Sequence, residues 1–247
     1  MSDIFKKLFN GDFEKVKRII NEDPQWVQIK DNERWTSLDY AIACGKLDIA
    51  KFLFEKGGRP NLDEVYCDGF FTPVHIAAWW EYTTTLKWVL EKEVLPLRTF
   101  NIKNHNGWTP LDEAIMWGKL EIAKYLWENG GQPNLEFYCR DGSYTPMHNA
   151  ARREYTANTL KWVFTKKILP LCVLQIKDEE KMTPLDVASG ETATLFQNLI
   201  HLDSVFLAMQ CAKKHDHNGT LLRRLPNELL DMVVDEVAQR FHLRVVW

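Results

Sequence analysis

One feature constrains this chain more than any other: it repeats itself. The stretch ERWTSLDYAIACGKLDIAKFLFEKGGRPNL from Glu33 returns 73 residues later as NGWTPLDEAIMWGKLEIAKYLWENGGQPNL from Asn106. Between them, DGFFTPVHIAAWWEYTTTLKWVLEKEVLPL from Asp68 returns as DGSYTPMHNAARREYTANTLKWVFTKKILPL from Asp141, in step until one residue is inserted near Ala157. KMTPLDVA at Lys181 opens a further copy. Two kinds of half-unit alternate, so the period is a doubled unit. A unit of this length cannot bury an apolar face alone, and neighbours must stack to do so.

Each half-unit reads alike. A turn rich in Asp, Asn and Gly precedes a TPLx tetrapeptide whose proline suits the first helical position, where no amide hydrogen is needed. Apolar residues follow at helical spacing, as in Leu38, Ala41 and Ile42 or Leu111, Ala114 and Ile115, until Gly-Lys interrupts them. A second periodic run follows, Leu47, Ile49, Ala50, Phe52 and Leu53 in one copy, closed by Gly57–Gly58 or Gly130–Gly131, which permit a left-handed helix ending. Eight of the ten prolines recur at equivalent places. The expected fold is all-α, a helical solenoid.

TPVHIAA at Thr72 and TPMHNAA at Thr145 resemble the T-P-L-H-x-A signature of ankyrin repeats. Asp39, Asp112 and Asp186 stand where that family carries histidine, and a carboxylate can still accept turn amide hydrogens. The resemblance implies an ankyrin-repeat solenoid of about six helix-turn-helix units over residues 1–200, opened by a capping unit, with a short helical module at 201–247. It also implies that His75 and His148 are structural, bonding the backbone of adjoining turns. A tetratricopeptide array has a similar period but does not predict the TP turn.

Composition bounds the function. With 45% apolar residues the chain can build a core, and its formal charge of −3, from 31 basic and 34 acidic residues spread throughout, offers no face for nucleic acid or anionic lipid. No run approaches a membrane span, and Cys44, Cys67, Cys139, Cys172 and Cys211 fit a reducing, intracellular setting. Nucleotide, zinc-protease and hydrolase motifs are absent. The densest ligand group, Cys211, His215 and His217, reads better as a polar loop than as a zinc site. The expectation is a non-catalytic protein without cofactor or metal, and a monomer.

Binding is the remaining function class. Trp88 and Trp162 fall at a core position of the second helix. Trp35, Phe71, Trp108 and Tyr144 each precede the threonine of a TP-type turn. By the ankyrin resemblance they join Tyr40, Trp79, Trp80, Met116, Trp117, Arg152 and Arg153 along the concave face. Trp, Tyr, Phe, Met and Arg are the types enriched in protein interfaces, so a protein target is expected in that groove.

The end of the chain differs. LPNELLDMVVDEVAQRF places Pro226 at a helix start, and Leu229, Val233, Val237 and Phe241 at intervals of four form an apolar stripe that must dock. It resembles the opening of the F-box, matched by Leu225, Pro226, Glu228, Leu229, Val233, Val234 and Val237, and the F-box-like tails that follow ankyrin arrays in poxviral proteins. That resemblance implies a Skp-type adaptor and cullin as partners, with the array holding a substrate for a ubiquitin ligase, although the segment is shorter than a full F-box. Two alternatives stand beside it: the tail only caps the last repeat, or Leu207 and Cys211 belong to an element similar to the SOCS box.

Overall fold

Each first helix is started by a threonine, and the structure shows how. Thr36, Thr72, Thr109 and Thr145 hold extended backbone. Their amide hydrogens are accepted by the side chain three residues on: Asp39 at 2.9 Å, His75 at 3.2 Å, Asp112 at 2.7 Å and His148 at 3.2 Å. Such a box contributes about 1 kcal/mol to a helix start.

The computed structural model describes residues 12–32, 34–61, 71–134 and 144–212, with side chains through 201. Among them lie ten α-helices. Helix α1 (Phe13–Glu22) and a 3₁₀ turn (Pro24–Val27) open the array. Four helix pairs follow: α2 (Ser37–Ala43) with α3 (Leu47–Glu55), α4 (Pro73–Trp79) with α5 (Thr83–Glu91), α6 (Pro110–Met116) with α7 (Leu120–Glu128), and α8 (Pro146–Ala151) with α9 (Ala157–Thr165). Helix α10 (Gly190–Ala212) packs against α9. The fold is the expected all-α ankyrin solenoid.

Helices of seven and nine residues would not persist alone in water; stacking holds them. Leu38, Val74, Leu111 and Met147 fill the seams between units, and Ala41, Ala77, Ala114 and Ala150 are fully buried. These small side chains let first helices approach one another more closely than second helices do, so the row of first helices is the inner, concave side. Trp88 is buried in the second-helix layer and Trp162 is half-buried against it. The link between helices of a pair turns through a left-handed residue: Gly45 (φ +64°), Glu81 (φ +63°) and Gly118 (φ +67°).

Two expectations need correction. KMTPLDVA does not open a full helix: Thr183 and Asp186 make the capping contacts, but residues 184–187 form a turn only. The cause is spacing. Gly190 follows Thr183 two residues sooner than Gly118 follows Thr109, which leaves no room for a second helical turn. The array therefore holds four complete pairs between an opening unit and an abbreviated last one. Helix α10 also crosses the boundary placed at 200/201, because nothing between Gly190 and Ala212 breaks a helix. The residue inserted near Ala157 is absorbed by a 3₁₀ turn, Glu154–Thr156.

Candidate target-binding face

The turn residues alternate in kind, and the alternation has a structural meaning. Asp39 and Asp112 reach within their own unit: Asp39 Oδ2 accepts from Asn61 N at 3.1 Å, and Asp112 Oδ1 from Asn134 N at 2.8 Å. The histidines reach into the next unit. Because Thr72 N donates to His75 Nδ1, the proton sits on Nε2, which donates to Trp108 O at 2.9 Å. His148 Nε2 meets Met182 O at 3.0 Å in the same way. Burial pushes His75 down to about 4, against the help of Trp108 O, so it is a neutral staple. Burial pushes Asp39 up to about 6 and Asp112 up to about 7, against the hydrogen bonds they accept. Glu113 is buried beside Asp112, and burial together with that neighbouring charge pushes it up to about 8.

On this frame sits an aromatic ladder. The Trp79 and Trp117 rings stack with centroids 5.2 Å apart, and Trp80 stacks on Trp79 at 5.8 Å. Phe71 lies 5.9 Å from Trp79 at a tilt. The Arg153 guanidinium lies 4.2 Å over the Trp117 ring, while its Nη1 donates to Asn149 O at 2.7 Å. The ladder thus joins the ends of α4, α6 and α8. Trp80 is 59% exposed, whereas Trp79, Trp117 and Arg153 are half-buried.

The residues read from sequence as one band divide into two sets. Phe71, Trp79, Trp80, Trp117, Tyr144 and Arg153 present surface. Trp35, Tyr40, Trp108 and Met116 are buried, and this corrects their assignment to the accessible face. Trp35 packs on Tyr40 at 4.8 Å, the Tyr40 hydroxyl donates to Asp31 Oδ2 at 2.6 Å, and Trp108 lies 6.2 Å from Tyr144. Asn149 Nδ2 covers Met116 Sδ at 3.3 Å. Each is covered by its own turn or by the following unit, and so supports the face from beneath. Arg152 is exposed but lies 3.8 Å from the nearly inaccessible Asp178 carboxylate, and tethers the last unit.

Several participants escaped the sequence reading. Asn149 holds both Arg153 and Met116. Glu113 accepts from Asn104 Nδ2 at 3.2 Å and takes a further hydrogen bond from Trp117. Tyr155, 60% exposed, lies against Gly118 beside the ladder; the recurrence of EYT at Tyr82 and Tyr155 was its available signal, for Tyr82 covers Gly45 in the same manner.

The tail residues Leu225, Pro226, Glu228, Leu229, Val233, Val234 and Val237 lie outside the described residues, as do His215, His217 and the side chains of Leu207 and Cys211. Among the described residues no His, Cys, Asp and Glu cluster could hold a metal ion, and no helix is long and apolar enough to cross a membrane.

Comparison with known proteins agrees with this geometry. A probable 26S proteasome regulatory subunit p28 from Saccharomyces cerevisiae is 25% identical over 236 residues, 96% of this chain and 95% of that protein. Shorter stretches match the ankyrin repeat and SAM domain-containing protein 6 of Rattus norvegicus, 28% identical over 133 residues, and the protein phosphatase 1 regulatory subunit 12A of Mus musculus, 40% over 58. These cover 54% and 24% of this chain but only 11% and 5% of those proteins. Residues 60–137, which hold the pairs α4/α5 and α6/α7 with the capping boxes at Thr72 and Thr109, match the family model described as Ankyrin repeats (3 copies).

Proposed function

We propose that this chain is a non-catalytic protein-recognition adaptor, gripping a segment of a target protein along its first helices and serving as a regulatory subunit of a larger assembly. One observation carries the reading: the ladder Phe71–Trp79–Trp117–Arg153, with Trp80 beside it, spans three units on the surface and lies outside the main core, Trp117 resting on the small buried pair Trp108 and Met116. Aromatic and arginine side chains placed together on a rigid frame are the usual anchors of protein interfaces, and the alternating staples keep that frame rigid. The likeness to p28 along nearly the whole chain supports a partner within the proteasome or an assembly of its kind.

The test is affinity capture with the full chain, its Trp79→Ala, Trp117→Ala variant and a Trp127→Ala control on the second-helix side. Loss of a defined partner from the ladder variant alone is the expected result. Capture of the same partners by all three proteins would overturn the reading.

The tail supports a second reading, carried by the Leu-Pro-x-Glu-Leu pattern at Leu225–Leu229: recruitment of a Skp-type adaptor and cullin, so that the target held by the array is ubiquitinated. The likeness to p28 leaves only 11 of the 247 residues unmatched and so runs into this segment; the alternative is a tail that only closes the array. A Leu225→Asp, Val233→Asp variant separates the two. Loss of Skp-type adaptor with the array still folded supports recruitment; absence of adaptor from the wild-type capture removes it.

A further inference from the structure

The ladder has one closed end and one open end. Helix ends place Cys44, Trp80, Trp117 and Arg153 at equivalent positions of successive units. Trp80 and Trp117 both stack on Trp79, which lies between them. Beyond Trp117 the stack is closed by the chain's own guanidinium, 4.2 Å over the ring. Beyond Trp80 the equivalent position holds only the small Cys44, followed by Gly45, and Trp80 remains 59% exposed. Among the described residues no cation lies over the Trp80 ring.

We propose that the open face of Trp80 is a subsite for an arginine side chain of the target. The inference rests on reading the first-helix face as the target-binding face and adds the chemistry of one contact within it.

Three observations single out that occupant. The closed end shows what a ladder end accepts, since the Arg153 guanidinium sits over an indole while donating to one carbonyl of α8, Asn149 O, at 2.7 Å. The open end offers an indole face at the C-terminal end of α4, where partial negative charge favours a cation; the carbonyl equivalent to Asn149 O there, Ile76 O, already accepts from Trp80 N at 3.0 Å. That end adds a carboxylate: Glu81 follows Trp80 directly, and among the described residues its carboxylate pairs with Lys119 alone, at 3.6 Å and partly exposed. A neutral aromatic ring would fill the face but bring no cation to the carboxylate that Lys119 meets only at 3.6 Å. Lysine would answer Glu81 but stack less well, because an ammonium is compact and strongly hydrated whereas guanidinium is planar and weakly hydrated.

The experiment uses the full chain with its indole nitrogens labelled with ¹⁵N, the Trp80 signal being identified from a Trp80→Phe variant. N-acetyl-arginine amide is titrated in, beside N-acetyl-lysine amide and the uncharged N-acetyl-citrulline amide. The Trp80 indole signal moves saturably with the arginine probe, about three-fold more weakly with the lysine probe, and without saturation for citrulline. Glu81→Gln weakens the arginine response about two-fold, and Trp127→Ala, on the second-helix side, leaves Trp80's response in place. A Trp80 signal that ignores the arginine probe, or moves alike with all three, overturns the proposal. A saturable Trp80 response together with target capture that ignores Trp79 and Trp117 would instead refute the adaptor reading and leave the subsite standing.

Discussion

Replacing His75 by alanine tests the claim that a neutral histidine staples successive units. The side chain is fully buried, accepts from Thr72 N through Nδ1 and donates to Trp108 O through Nε2. Trp108 O keeps a second donor, Asn104 N at 2.8 Å, so the main losses are the Thr72 amide's partner and the packed ring. An unmet buried donor and the cavity together cost about 3–4 kcal/mol near neutral pH.

The pH dependence sharpens the test. His75 is pushed down to about 4 in the folded chain against an ordinary 6.5. Its stabilisation is therefore complete above about pH 6.5 and is lost as pH falls through that value towards 4, because only the unfolded chain takes up the proton readily. Between about pH 7.5 and about pH 4.5 the wild type forfeits about 2.5 kcal/mol through this residue, and His75→Ala forfeits none. Asp39, Asp112 and Glu113 titrate in both proteins and cancel in the difference. Urea unfolding followed by circular dichroism should then show a gap that narrows from about 3–4 to about 1 kcal/mol on acidification. A gap under about 1 kcal/mol at neutral pH, or one of constant size, would refute the staple.

Other perturbations follow from the same structure. Gly45→Ala puts a side chain on a left-handed residue and drives its Cβ into the Tyr82 ring, costing about 2–3 kcal/mol; Gly57→Ala, equally left-handed but facing open space, costs about 1 kcal/mol, and thermal unfolding of the two variants separates clash from backbone strain. Glu113 and Asp112 titrate high in the folded chain, so their contribution is full at acid pH and is lost as pH rises towards 8. Glu113→Gln should flatten the fall in stability between about pH 5 and about pH 8, and a curve parallel to wild type would contradict the buried placement. Arg152→Ala removes the cation 3.8 Å from the buried Asp178 and should speed amide hydrogen exchange at Met182, whose N–H donates to Asp178 at 2.9 Å, without affecting the pairs α2/α3 and α4/α5.

What was legible in the sequence is whatever repeats. Thr-Pro turns, the paired glycines and the Leu38 or Leu111 periodicities name local events, and local propensity acts wherever the motif recurs. Asp in place of His at residues 39 and 112 was readable as a capping acceptor for the same reason. The last unit shows where this fails: TPLD at Thr183 carries the motif, but the early Gly190 removes the length a helix needs, so motif and element part company.

The face was only half legible. Helical spacing assigns Trp79, Met116 and Arg152 to one repeat position, yet Met116 is covered, Arg152 is tethered, and Trp79 is the centre of a stack. Which side chain a neighbouring unit covers depends on residues 33 to 37 positions away, as with Asn149 over Met116 or Arg153 over Trp117. Periodicity along one helix holds no record of that pairing. The sequence by itself determined that units of two short helices would stack in order, because each unit's apolar face has nowhere else to go. The tertiary structure alone decided which tryptophans meet across the seams, since that is set by the closeness of first helices packed over alanine.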